Sequence, residues 1–319
     1  MSVLSKAYMH DEAAAFAHVE AMLWGDEPSC PHCGNCTNIY ELKGVFSKPS
    51  KKNPEGVERH GLKKCSACRK QFTVRHNTIF AESHIPLHKW LQAIYLMTSS
   101  KKGISSHQLH RVLEITYKSA WFMSHRIREA MRSDNTVDFG SGGGVVEVDE
   151  TFIGHKHKKA EGARGYAHKN AMLTLVDRTT GHSKSFVVDN VKASTLLPIL
   201  RENIAKEAIV YTDEAKQYSK VGAEFAEHDF TTHSKGQYVR GNVHTNTIEG
   251  YFSIFKRGMN GVYQHCDKKH LHRYAAEFEF RYNNRIANGV GDLGRADIAL
   301  LGVKGKRLQY QGPDSGATV

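Results

Sequence analysis

Cys30-x-x-Cys33 and Cys65-x-x-Cys68 are two pairs of soft ligands, and each CxxC turn lets two sulfurs point at one ion. Four thiolates suit tetrahedral Zn²⁺ with every coordination position filled, so the expected role is structural. Free buried thiols are the alternative, but paired CxxC motifs in a reducing compartment argue for metal. Cys36 and Cys266 are left over and read as ordinary small residues.

Three carboxylates stand out for a different reason. Asp149 closes the apolar run of "VVEVDETFIG", and Asp213 closes that of "AIVYTDEA". A carboxylate at the end of a buried run is costly unless something neutralises it, although a strand-end Asp is often a turn or cap residue. Glu249 lies near the start of "NTIEGYFSIFKRG", thirty-five residues after Asp213, and Lys256 follows seven positions later. Seven residues is close to two helical turns, so Glu249, Ser253 and Lys256 share a face. Two adjacent strands with inward carboxylates, and a Glu on a helix packed across them, build a site for hard divalent cations such as Mg²⁺. Two such ions side by side stabilise the attacking and leaving oxygens of a phosphodiester displacement. The local alternative for Glu249 is a capping box with Asn246, three residues earlier. Glu150, beside Asp149, points to the opposite strand face and does not read as a ligand.

These residues need elements to hold them. Residues 10–24 read as a helix ending at Gly25, ahead of the first cysteine pair. The basic, Pro- and Gly-punctuated segment between the pairs reads as an extended hairpin or loop, and "QFTVRHNTIF" as a strand. From Leu87 to Met131 the pattern is helical and broken by one sharp turn. A short helix, a brief turn and a longer basic helix make a helix-turn-helix layout, with Ser105 and Thr116 as caps. In the last helix Lys118, His125, Arg126, Arg128 and Arg132 are candidates for phosphate contacts, the alternative being the solvated side of a bundle helix. "DFGSGGG" at 138–144 reads as a flexible linker. Beyond it come three strand-like runs, a helix, a strand, another strand and two helices, a mixed α/β domain. His233 and Lys235 follow the last of these strands and read as exposed loop residues. The stretch after Arg285 reads as loop-rich.

The boundaries expected are residues 1–83 for an N-terminal helix plus zinc ribbon and 84–137 for the helix-turn-helix segment. Residues 145–290 make the α/β domain, and 291–319 a C-terminal tail. The formal net charge is +11, from 44 Lys and Arg against 33 Asp and Glu, which favours a polyanionic partner, nucleic acid above all. No apolar run reaches the roughly 18 residues of a membrane span, and acidic residues and His interrupt the start where a signal peptide would be apolar. A soluble, cytoplasmic protein is expected.

Taken together, "CPHCG…CSACRKQFTVRHNTIF", "KKGISSHQLHRVLEITYKSAWFMSHRIREAM", "EVDETFIG", "VYTDEA" and "HTNTIEGYFSIFKRG…HLHRYAAEFEFRYNNR" resemble one bacterial group. It is the zinc-ribbon-bearing superfamily of insertion-sequence DDE transposases of the ISXO-two-like type. The resemblance implies an RNase H-like, integrase-type catalytic domain in which Asp149, Asp213 and Glu249 bind two Mg²⁺ or Mn²⁺ ions and Lys256 holds a phosphate. It also implies one structural Zn²⁺ and recognition of the element's terminal inverted repeats through the ribbon and helix-turn-helix. Strand cleavage and transfer into target DNA by a homo-oligomer associated with the nucleoid would follow. The third catalytic position varies in that group among Glu, Asn and His. Glu249 fits through its spacing from Asp213 and Lys256, and Asn246 is the alternative third position. A zinc-ribbon DNA-binding regulator on an inactive scaffold, or a nuclease that cleaves without transfer, are the competing readings.

Overall fold

Asp11 starts the first helix by accepting the N–H of Ala14 at 2.7 Å, and α1 runs Glu12–Trp24 until Gly25, at φ 59°, ends it. In this computed structural model all residues are described except 1, 52, 134–137, 155–164, 214–217, 219–220, 222–223, 232–238, 240–241 and 310–319. The cysteine pairs then frame a three-stranded antiparallel sheet of β1 (Ile39–Glu41), β2 (Lys63–Cys65) and β3 (Gln71–Phe72), in that spatial order. The basic segment between β1 and β2 turns back on itself through a Phe46–Glu58 bridge. The longer strand expected over "QFTVRHNTIF" does not form. Only Gln71 and Phe72 pair with β2, because the His76 ring accepts the Thr73 N–H and turns the chain. Val74, Ile79 and Phe80 are then buried outside the sheet.

Helix α2 (Leu87–Ser99) has no cap of its own, and Glu12 supplies one by accepting the N–H groups of Leu87 and His88. Ser105 caps α3 (Ser106–Leu113), Glu114 turns the chain in the left-handed conformation, and Thr116 accepts the Ser119 N–H at the start of α4 (Tyr117–Met131). The solvated basic face expected for α4 is confined to its first turn. From Met123 to Arg128 every residue is buried.

The glycine-rich stretch expected to be a loose linker is a packed turn. Phe139 is buried, exchanges backbone hydrogen bonds with Asn203 and Ala205, and precedes Gly140, whose N–H reaches Asp177 Oδ2 at 2.9 Å. At Gly140 φ is 74°, and a Cβ would lie 2.4 Å from Ala208 Cβ and 2.8 Å from Val146 Cγ2. Glycine here permits close packing, the opposite of slack.

Five strands follow with their helices: β4 (Val145–Ile153), β5 (Asn170–Asp177), β6 (Ser183–Val188), α5 (Ala193–Asn203), β7 (Ile209–Asp213), β8 (Glu227–Thr231), α6 (Asn246–Gly258) and α7 (Lys268–Asn283). They form one sheet in the order β6-β5-β4-β7-β8. The first three pair antiparallel, and β7 and β8 run parallel to β4. Alternation sorts the strands' side chains to two faces. Val146, Val148, Leu173 and Leu175 pack with Leu196 and Leu200 of α5. Ile153, Met172 and Val176 pack on the other side with Ile248, Phe255 and Phe278 of α6 and α7.

The loop-rich tail expected after Arg285 contains a further helix, α8 (Asp292–Leu301). It buries Ala296, Ala299 and Leu300, and Arg295 Nε donates to the Thr98 carbonyl at the end of α2 at 3.0 Å. Gly294 inside it hides the helical pattern from inspection. The chain thus makes two compact units, Met1–Ser100 with Ile104–Met131 and Gly291–Val319, and Lys101–Gly103 with Arg132–Val290. Among the described residues no helix is long and apolar enough to cross a membrane.

Candidate active site and metal centre

The four expected cysteines converge. The sulfurs of Cys30, Cys33, Cys65 and Cys68 all lie within 4.8 Å of one another, the only group of metal-ligating side chains gathered in this way among the described residues. Cys30 Sγ is 3.6 Å from Cys68 Sγ, and Cys33 Sγ is 3.7 Å from Cys65 Sγ. A tetrahedral ion with Zn–S bonds of about 2.3 Å would separate its sulfurs by roughly 3.8 Å, so the cage has the right size. Backbone N–H groups of Cys68 and Ala67 point at Cys65 and pull its thiol down to about 6. At Cys33 the pull of the Asn35 N–H is outweighed by burial and by the sulfur neighbours, which push that thiol up to about 12. The metal-free cage thus holds thiolate and thiol side by side, and a bound cation would have to displace the remaining protons. Cys36 instead donates to the Gly34 carbonyl, outside the cage.

The carboxylates are placed by strand register. In the parallel β4–β7 ladder Val145 pairs with Ile209 and Glu147 with Tyr211. Continuing it by two residues sets Asp149 level with Asp213, on the sheet face that α6 covers. Burial first, then the charge of Asp213, and more weakly those of Glu150 and Glu249, push the Asp149 carboxyl up to about 7, against the pull of the Glu150 N–H at 2.7 Å. Asp149 therefore senses both other members of the expected triad. Glu150 turns to the opposite face, where the burial of Tyr218 first, and the Glu150 charge second, raise the Tyr218 phenol.

Glu249 is held differently from the capping box that its sequence suggests. Asn246 is the exposed first residue of α6 and Thr245 the one before it, and no side chain caps the helix from there. Glu249 accepts instead from Thr245 Oγ1 at 3.1 Å. The free N–H of Ile248 goes to Glu147 Oε2 at 2.8 Å, a carboxylate from β4 a hundred residues away in sequence. Glu147 is fully buried and bonded to Arg178 Nε at 2.5 Å, and Arg178 also donates to the Asn242 and His244 carbonyls and to His244 Nδ1. The Arg178 guanidinium lies 5.0 Å from the centre of the Tyr211 ring. Glu147 stands two residues before Asp149, Tyr211 two before Asp213, and Ile248 one before Glu249, so one buried ion pair touches all three carboxylate-bearing elements. Neither Glu147 nor Arg178 is singled out by the sequence reading. The available signal was Glu147 itself, a charge inside an apolar run on the same strand face as Asp149.

Lys256 is exposed on the Glu249 face of α6, its ammonium 5.8 Å from the Phe252 ring centre. Of the residues expected at phosphates, Lys118 and Arg132 are exposed. Arg126 and Arg128 are not available for that role. Arg126 is 7% exposed and donates to the carbonyls of Ile79, Ala81 and Leu308, and Arg128 is 1% exposed and donates to Ser124 Oγ. His125 is buried as well. Each guanidinium satisfies local acceptors that burial would otherwise orphan. His233 and Lys235 lie outside the described residues.

Residues 142–283 match the ISXO2-like transposase domain, and residues 10–71 match the transposase zinc-ribbon domain. The chain is 34% identical over 101 residues to an uncharacterized transposase-like protein of Haemophilus influenzae, covering 31% of this chain and 78% of that protein. It is 26% identical over 232 residues to an uncharacterized protein in the transposable element ISH50 of Halobacterium salinarum, covering 68% of this chain and 76% of that protein. A simian T-cell lymphotropic virus intasome solved with PP2A regulatory subunit B56 gamma aligns over 54% of this chain and 63% of that one. The TM-score is 0.29 and the identity 11%, a likeness too slight to carry an argument.

Proposed function

The chain belongs to the ISXO2-like transposase family, and from that membership we propose that it is a metal-dependent DDE transposase that cuts the ends of its own insertion sequence and joins them to target DNA. The observation that supports the reading lies at Asp149, on the sheet face that α6 covers. Its carboxyl is held up to about 7 by burial, by the charge of Asp213 and more weakly by that of Glu249, although the three carboxylates are not drawn together into one cage as the four cysteines are. Three carboxylates offer hard oxygen donors of the kind that suits Mg²⁺ or Mn²⁺. Two such ions, when bound, supply positive charge at the attacking and leaving oxygens of a phosphodiester.

The chain's own residues do the rest. Asp149 is partly protonated near neutrality in the metal-free protein, and its oxygens, with those of Asp213 and Glu249, would hold the cations. Lys256 orients a phosphate from the Glu249 face of α6. The Glu147–Arg178 pair fixes the first turn of α6, and so the height of Glu249 above the two strands. Water then attacks a phosphodiester at the element end and frees a 3′-hydroxyl, and that hydroxyl attacks a target phosphodiester to complete transfer. The strand order, with β4 central between an antiparallel pair and a parallel pair, supports the RNase H-like reading. Asn246, one turn before Glu249, is the alternative third ligand.

DNA-end recognition falls to the zinc-bearing ribbon, with one structural Zn²⁺, and to the α3–α4 helix-turn-helix, where Lys118 stands on the exposed first turn of α4 and Arg132 just beyond its last. Assembly on the paired ends would be as a homo-oligomer, with the protein associated with the nucleoid. The test is direct. The full chain, incubated with duplexes carrying the DNA that flanks its gene, should nick them in Mg²⁺ and not in EDTA, and the Asp149→Asn variant should bind but not nick. Undiminished nicking by that variant would sink the assignment, and metal-independent binding with no cleavage by the native chain would favour a DNA-binding regulator.

A further inference from the structure

Beyond Asp149, β4 has no paired strand on its β7 side among the described residues. The β7 strand ends at Asp213, so the unpaired edge of β4 runs from Glu150 to Ile153. A cleft of about 460 Å³ opens there. Lys169 and Lys256 bring two ammonium groups to it, Asn260 and Gln264 two amides, and Glu150 at its edge one carboxylate, so the cations outnumber the anion. Tyr166 adds an aromatic ring that is 60% exposed, stacked on Phe152 with centroids 4.7 Å apart and planes 10° from parallel. The Lys169 ammonium sits 5.4 Å from the Tyr166 ring centre.

The backbone that delivers the amides is irregular. Helix α6 ends in a π-helical turn, Met259–Tyr263, and Gln264 follows at φ 56° and ψ −55°, a conformation unfavourable for a residue with a Cβ. Asn260 and Gln264 join Lys256 along the wall of one cleft. Such turns and such strain persist where a site requires them.

An ordinary phosphate site has no use for an exposed ring, and an apolar ligand has none for two lysines. Cations, amides and an aromatic face in a space of this size fit one nucleotide, its phosphate between the ammonium groups, its base on the ring and its edge against the amides. A paired base cannot reach such a ring. We propose that the cleft binds an unpaired nucleotide of a DNA strand, held beside the carboxylates so that the strand leaves the duplex at the site of cutting. The inference rests on the nuclease reading for its purpose, but the binding itself needs no metal and no reaction.

An oligothymidylate eleven nucleotides long with 2-aminopurine at its centre tests this with the full chain in EDTA. Native protein should quench the fluorophore as its base stacks. Tyr166→Phe should keep the quench and the affinity. Tyr166→Ala should lose the quench and bind about tenfold more weakly, within the range for one base–aromatic stack. Lys169→Ala should weaken binding and flatten its salt dependence by somewhat less than one ion released. Equal quenching and affinity in the native chain and Tyr166→Ala would overturn the proposal, as would binding without quenching by the native chain. Nicking in Mg²⁺, measured separately, decides the nuclease reading. A chain that nicks but shows no Tyr166-dependent quench keeps that reading and loses this one.

Discussion

Asp149 is the residue at which burying a carboxylate among acidic neighbours costs the fold something. Its carboxyl sits at about 7 in the folded chain against 3.8 for an ordinary aspartate. Between those values the native state holds a proton that the unfolded chain has released, so metal-free stability falls as pH rises from about 4 to about 7. At roughly 1.4 kcal/mol per tenfold change, the shift from 3.8 to about 7 bounds the effect near 4 kcal/mol. Asp149→Asn removes the charge and keeps the shape. It should melt several degrees above the native chain at pH 8 without metal, with most of the advantage gone at pH 5 and the rest below about pH 4. Mg²⁺ should then stabilise the native protein and leave the variant where it was. Thermal melts at the two pH values, with and without Mg²⁺, check this, and an Asn variant less stable than native at pH 8 would contradict the placement. Asp149 and Asp213 were legible in the sequence because each ends an apolar run where a charge is out of place. Arg126 and Arg128 were misleading for the matching reason. A buried guanidinium bonded to main-chain carbonyls looks, in one dimension, the same as one facing water.

At the scale of the element, α6 depends on a strand for its cap. Its apolar stripe of Ile248, Phe252, Phe255 and Met259 is readable from the sequence and lands in the core as the periodicity predicts. Its starting point is not, because the group that satisfies Ile248 N–H belongs to β4. Capping rules look three residues along the chain, and this partner lies a hundred away. Helix α2 repeats the device with Glu12. The same limit hid α8, whose burial is decided by α2 and not by its own pattern. Glu147→Ala would leave Arg178 without its partner and Ile248 N–H without an acceptor, and breaking a buried pair from one side costs about 3–5 kcal/mol. Glu147→Gln keeps an acceptor for Ile248 and should recover part of that loss. The two variants should also separate in function. Gln should retain Mn²⁺ binding, with affinity reduced severalfold, while Ala should lose both the helix position and the ion. Mn²⁺ titration followed by electron paramagnetic resonance measures this, and equal affinity in all three proteins would show that Glu147 does not position Glu249.

At the scale of the whole molecule, each of the two compact units has its own metal under the proposed function: zinc in the ribbon and Mg²⁺ at the carboxylates. The ribbon has little apolar surface of its own, with Cys30, Cys65 and Phe72 buried and Trp24 and Ile39 packed against them. So small a core cannot hold three strands of two or three residues, and the metal must supply the difference. The sheet of the other unit has extended clusters on both faces and needs no ion to fold. Hydrogen exchange on the full chain should therefore respond at two separate places. Removing zinc should strip protection from Lys63–Cys65 and Gln71–Phe72 while β4 and β5 stay protected. Adding Mg²⁺ should slow exchange at the start of α6 and leave the ribbon unchanged. Substituting one cysteine, Cys65→Ala, should reproduce the first pattern and lower bound zinc from one ion per chain towards none. Protection lost from the five-stranded sheet as well as from the ribbon on chelation would mean that zinc sustains the whole chain. In that case the +11 charge excess and the carboxylate site would answer to one folding equilibrium, and loss of cutting in a chelator could no longer be assigned to the carboxylates alone.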